Sequence, residues 1–259
     1  MGHDCNGGGL RAFTMSDLIR IERDDKLLTL VLNRPERKNA LSIALLEAFC
    51  KALYEEVTVQ TVAVIICGEG GCFSAGADLS DLNGTLDDLA VDDAVAAAVQ
   101  AINDTPVPVI AAIDGPCVGA AVDFCLACDV RVASAGAFIQ IPAARLGLLY
   151  NPAAVARVAR SVAPDILFRL LVLGERFLAE EAARVGLLSY PIANGGSREA
   201  AVAIARAGAG NVPLAVAASK GLLNALQDGS YDPESWNEKR RNILESPERR
   251  AAVESAKKR

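Results

Sequence analysis

The order of apolar segments constrains the fold of this chain more than any other feature of its sequence. Residues 18–23 alternate between apolar and charged side chains, residues 27–32 are mostly apolar, and two aspartates between them predict the turn of a β-hairpin. Helical spacing of apolar residues begins after Ser42, a good helix cap, and the apolar residues 62–67 predict another strand. We therefore expect a β-α-β unit.

The alternation of strands and helices continues to about residue 133 and then stops. Helices are predicted at residues 85–101 and 119–126, and strands at residues 107–113 and 130–133. Strands this apolar are typical of an α/β fold whose sheet is buried on both faces. After Pro142 the strand signals fade, and the spacing predicts helices at residues 152–161, 164–173, 179–185, 198–207, 213–226 and 233–244.

Composition excludes several classes of protein. The 259 residues are 52% hydrophobic and 22% charged, which is enough to bury a sizeable core. A net charge of −6 and an isoelectric point near 5.0 provide no basic surface for wrapping nucleic acid. Charged residues, glycine and proline interrupt every apolar stretch, so we predict neither a membrane span nor a secretory signal.

Histidine and cysteine usage narrows the chemistry further. The single histidine, His3, lies in residues 1–15, which we interpret as a flexible leader, so histidine-based catalytic triads are excluded and we expect no metal site. The seven cysteines are an odd number in mostly apolar surroundings, which predicts free thiols in a reducing cytoplasm. Cys125 and Cys128 have the spacing of redox and zinc sites, but their apolar neighbours favour buried core thiols.

Two glycine-bearing segments, residues 68–79 and 115–123, follow predicted strands. Small residues leave backbone N–H groups open to a ligand, and two such groups together can form an oxyanion hole. Neither segment fits the dinucleotide-binding or Walker motif, and Ser74 lacks both the GxSxG setting and a histidine to activate it. The residues therefore argue against nucleotide binding and serine-hydrolase chemistry. Taken alone, each segment is more typical of a tight turn or close helix packing.

Four motifs follow one another in a particular order. They are residues 33–41 (Asn-Arg-Pro-Glu-Arg-Lys-Asn-Ala-Leu), 73–79 (Phe-Ser-Ala-Gly-Ala-Asp-Leu), 115–129 (ending in Ala-Cys-Asp) and 142–147 (Pro-Ala-Ala-Arg-Leu-Gly). Their order and separations resemble the crotonase family, also called the enoyl-CoA hydratase/isomerase family, from about residue 17 to the C-terminal region.

The resemblance implies an α/β fold: a crotonase-like ββα-spiral core at residues 16–195 and a helical C-terminal trimerisation region at residues 196–259. It also implies a homotrimer or a dimer of trimers. The oxyanion-hole amides fall on Ala77 and Ala120, where they would hold the thioester carbonyl of an acyl-CoA. The second position is usually glycine in the family. The methyl group of Ala120 leaves less space for a ligand to approach the amide, but the N–H donor remains.

The resemblance also assigns a path for coenzyme A. The backbone of Lys38 and Ala40, together with the Lys38 charge, would meet the nucleotide end. Ala75, Asp78 and Leu79 would line the adenine and pantetheine path. Coenzyme A arrives as part of the substrate, so no separate cofactor is expected. Without the resemblance, the favoured interpretation of Lys38 is a solvated cation in a turn.

The sequence departs from the family at the catalytic acids. Typical hydratases of the family use two glutamates, and their positions carry Asp123 and Ala143 here. Asp123 is the catalytic carboxylate implied by the resemblance, although it is one methylene shorter, and ordinary water addition should be strongly weakened. The dienoyl-CoA isomerase branch of the family has an aspartate at the same position. This chain does not have the other acids of that branch. Tyr150 and Asn151 are candidate substitutes, with packing or helix capping as an equally good alternative.

Three hypotheses follow. The first is an enzyme of enoyl-CoA hydratase/isomerase type that acts on acyl-CoA through oxyanion stabilisation and Asp123. The second is a non-catalytic acyl-CoA-binding or carrier protein that keeps the thioester site without the acids. The third is an acyl-CoA decarboxylase, because an enolate formed by loss of CO2 needs oxyanion stabilisation but no strong base.

Overall fold

The computed structural model describes residues 11–14, 18–193 and 196–258, which form ten strands and ten α-helices. The strands are β1 (Arg11–Thr14), β2 (Ile19–Asp24), β3 (Leu27–Leu32), β4 (Ala63–Gly68), β5 (Val109–Ile113), β6 (Pro116–Val118), β7 (Val130–Ser134), β8 (Phe138–Gln140), β9 (Arg176–Leu178) and β10 (Tyr190–Ile192). The helices are α1 (Ile43–Glu56), α2 (Leu89–Asp104), α3 (Ala120–Leu126), α4 (Pro152–Ala159), α5 (Pro164–Leu171), α6 (Ala179–Arg184), α7 (Ser197–Gly208), α8 (Pro213–Asp228), α9 (Pro233–Leu244) and α10 (Pro247–Lys257).

The strands form a large sheet and a small one. The large sheet has the order β1-β2-β3-β4-β5-β7-β10, antiparallel from β1 to β3 and parallel from β3 to β10. Helical crossovers make the parallel pairs possible, because parallel strands cannot be joined by a tight turn. The small sheet has the order β6-β8-β9. The predicted hairpin is confirmed, since Ile19 pairs with Leu32 and Asp24 with Leu27.

The central strands of the large sheet carry apolar side chains on both faces, and helices cover each face. In β4, Val64 and Ile66 belong to a core that includes residues of α1, α2 and α3. Ala63 and Ile65, which alternate with them, belong to a second core completed by α7. The prediction of a doubly buried sheet is confirmed.

Helix α1 shows how the sequence fixes a local element. Ser42 has an extended backbone, and its hydroxyl oxygen accepts a hydrogen bond from the Leu45 N–H at 3.2 Å, so it caps the helix as predicted. The buried face of α1 includes Phe49, which packs edge-on against Phe124 of α3 with 4.9 Å between ring centroids. Helix α1 thereby supports the helix that carries Asp123.

The sequence predicts no strand after Pro142, and the structure corrects this. Strands β9 and β10 lie in that region and are three residues long, as are β6 and β8. Three residues are too few to show an alternating pattern, so such strands escape recognition. The helix Pro247–Lys257 is also missing from the prediction, because its sequence is mostly charged and gives little apolar spacing.

Residues 11–14 correct the interpretation of residues 1–15 as a flexible leader. They form β1, which pairs antiparallel with β2 from Arg11 opposite Arg23 to Thr14 opposite Arg20. The first ten residues of the predicted leader, including His3, lie outside the described residues. Residue 195, at the predicted boundary between core and C-terminal region, also lies outside them, and that boundary stays a prediction.

One buried cation connects helix α8 to the core. The Lys220 ammonium on α8 lies 2.8 Å from the Asp129 carboxylate and donates to the Ile102 and Val107 carbonyls, each at 3.1 Å. Helices α9 and α10 bury none of their own residues. No single helix in the described part of the chain has the length and hydropathy of a membrane span. Helices α7 and α8 meet those criteria only when taken together, and they are bent by 115°.

Candidate active site

The two glycine-bearing segments of the sequence lie side by side in the structure. The Ser74 N–H donates to the Pro116 carbonyl at 3.0 Å, and the Val118 N–H donates to the Ser74 carbonyl at 3.1 Å. These bonds form a short parallel bridge between Ser74 and Cys117. The bridge aligns the chain leading to Ala77 with the chain leading to Ala120.

Glycine at position 76 allows the two backbones to approach each other. Gly76 has a φ of +94°, and a Cβ atom there would lie 2.5 Å from the Val118 oxygen and 3.4 Å from the Ala120 nitrogen. A side chain would therefore push the segments apart. The close approach brings the backbone just before Ala77 next to the Ala120 amide.

The amides predicted to form an oxyanion hole are free to bind a ligand. Within the described residues, the N–H groups of Ala77 and Ala120 donate to no protein acceptor. Ala120 is the first residue of α3, where the N–H has no partner within the helix and the helix dipole adds partial positive charge. Both residues are partly exposed. Two free donors on adjoining backbones can stabilise a developing oxyanion.

Asp123, the predicted catalytic carboxylate, is bound to an arginine that the sequence analysis did not identify. Arg157 of α4 donates from Nε to Asp123 Oδ1 at 2.8 Å and from Nη2 to Oδ2 at 2.5 Å, a bidentate ion pair. The Asp123 side chain is 3% exposed and that of Arg157 29%. Hydrogen bonding to Asp123 raises the pKa of Arg157, so the guanidinium stays charged. Each of the two Asp123 carboxylate oxygens therefore accepts a hydrogen bond from Arg157.

The candidate substitutes for the missing acid have other partners. Asn151 caps α4, with its side-chain oxygen accepting from the Ala153 and Ala154 N–H groups at 2.9 and 3.2 Å. The Tyr150 hydroxyl donates to the Gly119 carbonyl at 3.0 Å. Ala143 is buried and supplies no acid. Asn151 therefore has the capping role that the sequence left open as an alternative.

The turn predicted to meet coenzyme A lies against the first glycine-bearing segment. Lys38 is exposed and has a left-handed backbone, with a φ of +51°, and its carbonyl accepts from the Ala75 N–H at 2.9 Å. Ala40 is buried and Ala75 is partly exposed. Leu79 is 68% exposed, which leaves an apolar surface available. The structure thus places Lys38 and Ala75 in contact through their backbones.

The Asp78 carboxylate is held by an arginine and by the neighbouring serine. Its carboxylate pairs with Arg34 Nη1 at 2.8 Å and accepts from the Ser80 N–H and hydroxyl at 3.0 and 2.7 Å. Burial alone would raise the pKa of Asp78, but the hydrogen bonds from Ser80 and the Arg34 charge lower it to about 2. This carboxylate stabilises the loop, and its place on the ligand path stays a prediction.

Comparison with known proteins identifies the family of this chain. Residues 22–256 match the family model described as enoyl-CoA hydratase/isomerase. The chain belongs to that family. The match begins within β2 and ends within α10, so the family membership predicted from four motifs is confirmed.

Individual relatives of this enoyl-CoA hydratase/isomerase family member agree with the assignment. The chain is 32% identical over 221 residues to "Probable enoyl-CoA hydratase echA6" of Mycobacterium tuberculosis, covering 85% of this chain and 86% of the relative. It is 34% identical over 220 residues to 2,3-dehydroadipyl-CoA hydratase of Escherichia coli, covering 83% and 84%. An enoyl-CoA hydratase/isomerase family protein from Hyphomonas neptunium superposes with a TM-score of 0.83 at 32% identity, covering 88% and 90%. The predicted α/β crotonase-like fold is confirmed, and the role of the C-terminal helices in trimerisation stays a prediction.

Two further residues of this enoyl-CoA hydratase/isomerase family member escaped the sequence analysis. Asn39 is fully buried, and its amide donates to the Glu69 and Cys72 carbonyls at 2.9 and 2.6 Å while accepting from the Arg34 N–H at 2.9 Å. Arg157 is the other. A signal existed for it, because a lone arginine in the apolar stretch between Pro152 and Ala159 suggests a buried acidic partner.

The cysteines near the site are free thiols, and most of them are buried in the core. The six cysteines among the described residues are free thiols, and Cys117, Cys125 and Cys128 are buried. Burial raises the pKa of Cys117 and Cys128 well above the ordinary thiol value. In the described part of the chain, no three potential metal-binding side chains come together. Core packing explains the spacing of Cys125 and Cys128.

Proposed function

We propose that this chain binds acyl-CoA thioesters and performs chemistry of the enoyl-CoA hydratase/isomerase type. The observation that supports this most directly is the pair of free N–H groups at Ala77 and Ala120, on backbones joined by the Ser74–Cys117 bridge. Two donors to a thioester oxygen draw electrons from the conjugated double bond and stabilise an enolate. Losing one such donor costs about 3 kcal/mol in comparable sites. The names of the relatives point to the same class.

At the other end of the ligand, Lys38 is assigned to the anionic part of coenzyme A. Its side chain is exposed and forms no ion pair among the described residues, and the hydrogen bond from the Ala75 N–H holds its backbone against the first glycine-bearing segment. Lys38→Ala should weaken binding of coenzyme A. Lys26→Ala, which removes another exposed turn lysine, should leave it unchanged. Isothermal titration with coenzyme A compares the two variants.

Acid–base chemistry is assigned to Asp123, the single carboxylate that the family resemblance places near the reacting carbons. Its ion pair with Arg157 must open, or share an oxygen, before the carboxylate can accept a proton from water. Hydration should therefore be slow compared with an enzyme carrying two free glutamates. Loss of general acid–base catalysis is worth about 10²–10⁴ in rate.

The same ion pair favours a second candidate function, acyl-CoA binding without turnover. Both Asp123 oxygens accept hydrogen bonds from the Arg157 guanidinium, which occupies the position where a reacting water would have to bind, and Ala143 provides no second acid. The two amide donors proposed for the thioester oxygen, at Ala77 and Ala120, nevertheless remain free. No contact among the described residues favours the third hypothesis, an acyl-CoA decarboxylase.

One experiment separates the two candidates. Purified wild type and Asp123→Asn are incubated with a panel of enoyl-CoAs, and binding and product formation are measured together. An enzyme loses turnover in Asp123→Asn while keeping most of its affinity. Equal background rates in both proteins, with acyl-CoA bound by both, would establish the binding function. In the enzyme case, Ala143→Glu restores the second acid and should raise hydratase activity, provided the larger side chain fits.

The binding step has a test of its own. Ala120→Pro removes one N–H donor at the first position of a helix, where proline is well tolerated. We expect it to weaken an acyl-CoA thioester and to leave the affinity for an alkyl-CoA thioether, which has no carbonyl, unchanged. Unchanged affinity and turnover on the thioester in a folded variant would contradict the proposal. Circular dichroism verifies the fold.

We also propose that the chain forms a homo-oligomer through its C-terminal helices, as a trimer or a dimer of trimers. Leu223 and Leu226 of α8 and Leu244 of α9 are exposed, and α9 and α10 bury none of their own residues. Exposed leucines on helices that bury few of their own residues are typical of subunit contacts. Light scattering at micromolar concentration should give a multiple of the 27.1 kDa chain mass. A monomer mass would contradict this.

A further inference from the structure

Tyr150 is bound to the peptide group that carries one of the two free amides. Its hydroxyl donates to the Gly119 carbonyl at 3.0 Å. The Gly119 carbonyl and the Ala120 N–H are opposite ends of a single planar peptide group. A hydrogen bond to the oxygen therefore restricts the direction in which the N–H points.

This peptide group needs such a restraint. It follows Gly119, whose φ of +57° and ψ of −125° lie outside the helical and strand regions, and glycine can rotate there at little cost. The Val122 N–H also donates to the Gly119 carbonyl, at 2.9 Å, from within the first turn of α3. The Tyr150 hydroxyl adds a second bond, from the segment that leads into α4.

A hydrogen bond to a carbonyl oxygen also strengthens the N–H at the other end of the peptide as a hydrogen-bond donor. Electron density moves toward the oxygen, so the N–H becomes a stronger donor, as in other chains of hydrogen bonds. Burial and the negative charge of Asp123 raise the pKa of Tyr150 well above its ordinary value. The phenol therefore keeps its proton, and that proton is directed at the Gly119 oxygen.

We propose that Tyr150 is a positioning residue that orients and polarises the Gly119–Ala120 peptide so that the Ala120 N–H binds the thioester oxygen. The proposal rests on the function proposed above. It gives Tyr150 a role different from that of a substitute acid, since its hydroxyl acts through the backbone and not on the substrate.

The test compares Tyr150→Phe with Tyr190→Phe, a control at a tyrosine that is 51% exposed on β10. The first measurement is the affinity for an acyl-CoA thioester relative to the matching alkyl-CoA thioether. The second is the carbonyl stretching frequency of a bound thioester labelled with ¹³C, measured by infrared difference spectroscopy. Tyr150→Phe should lower the thioester preference roughly three- to tenfold and move the stretch back toward its value in water. Tyr190→Phe should change neither.

A second variant makes the test independent of a stability loss in Tyr150→Phe. Replacing Tyr150 with 3-fluorotyrosine keeps the ring and makes the hydroxyl a stronger donor, so the bound carbonyl stretch should fall below the wild-type frequency. An unchanged preference and frequency in a folded Tyr150→Phe, or an unchanged frequency with 3-fluorotyrosine, would overturn the positioning role. A wild-type protein with neither a thioester preference nor a shifted carbonyl would instead overturn the proposed function.

Discussion

Removing Arg157 should destabilise the protein far more than removing its partner. Arg157→Met removes the ion-pair partner of Asp123, whose side chain is 3% exposed. Breaking a buried ion pair in this way costs about 3–5 kcal/mol. Asp123→Asn leaves the guanidinium behind, but that side chain is 29% exposed and can reach water. We expect Asp123→Asn to lower the free energy of unfolding by about 1–2 kcal/mol.

A double-mutant cycle isolates the interaction between the two side chains. The free energy of unfolding is measured by urea titration at pH 7 and a fixed protein concentration for both single variants and for Asp123→Asn/Arg157→Met. The double variant should be more stable than the sum of the single losses predicts, by about 1–3 kcal/mol. Arg160→Met, at the exposed arginine directly after the same helix, should stay within about 0.5 kcal/mol of wild type in its free energy of unfolding. A coupling energy near zero, or a cost for Arg157→Met no larger than for Arg160→Met, would refute the reasoning.

Three other predictions follow from the structure. Asp78→Asn should lower the free energy of unfolding by about 1–2 kcal/mol at pH 7. Because the wild-type pKa is lowered to about 2, urea titrations should show this difference disappearing as the pH falls from about 4 to about 2. Lys220→Met leaves the Val107 carbonyl without its lysine donor and the Asp129 carboxylate without its cation, and it should lower the free energy of unfolding by about 1–3 kcal/mol, with faster hydrogen exchange in α8. Gly76→Ala should weaken thioester binding about tenfold in titration calorimetry, because its Cβ would meet the Val118 oxygen at 2.5 Å, whereas Gly84→Ala, also at positive φ but in open space, should not.

The elements predicted correctly from the sequence are those whose own residues carry the signal. Helix α1 combines the Ser42 cap with regular apolar spacing, and the strands from β2 to β7 in the large sheet are continuous apolar or alternating runs. The small sheet has no such signal, because its strands have three residues each and gain their hydrogen bonds from partners far along the chain. Phe138, for example, pairs with Leu178. Local patterns cannot report pairings of that kind.

The candidate site divides in the same manner. The amides at Ala77 and Ala120 were predictable, since glycine-bearing segments after strands, together with the family motifs, point to free N–H groups. The ion pair of Asp123 could not be predicted, because its partner, Arg157, is 34 residues away in the sequence and lies on another helix. The bond from Tyr150 to Gly119 spans 31 residues. Contacts of this length arise only when tertiary packing brings the segments together.

The covering of the large sheet on both faces has a consequence for biosynthesis. The first face can be covered as soon as α1, α2 and α3 have emerged, but the second waits for α7, which begins at Ser197 after β7 has ended at Ser134. Ribosomes add about 5–20 residues per second, so a nascent chain carries an open apolar surface for several seconds. During that interval the chain is most exposed to aggregation, and chaperones that bind extended apolar surfaces would find their target there.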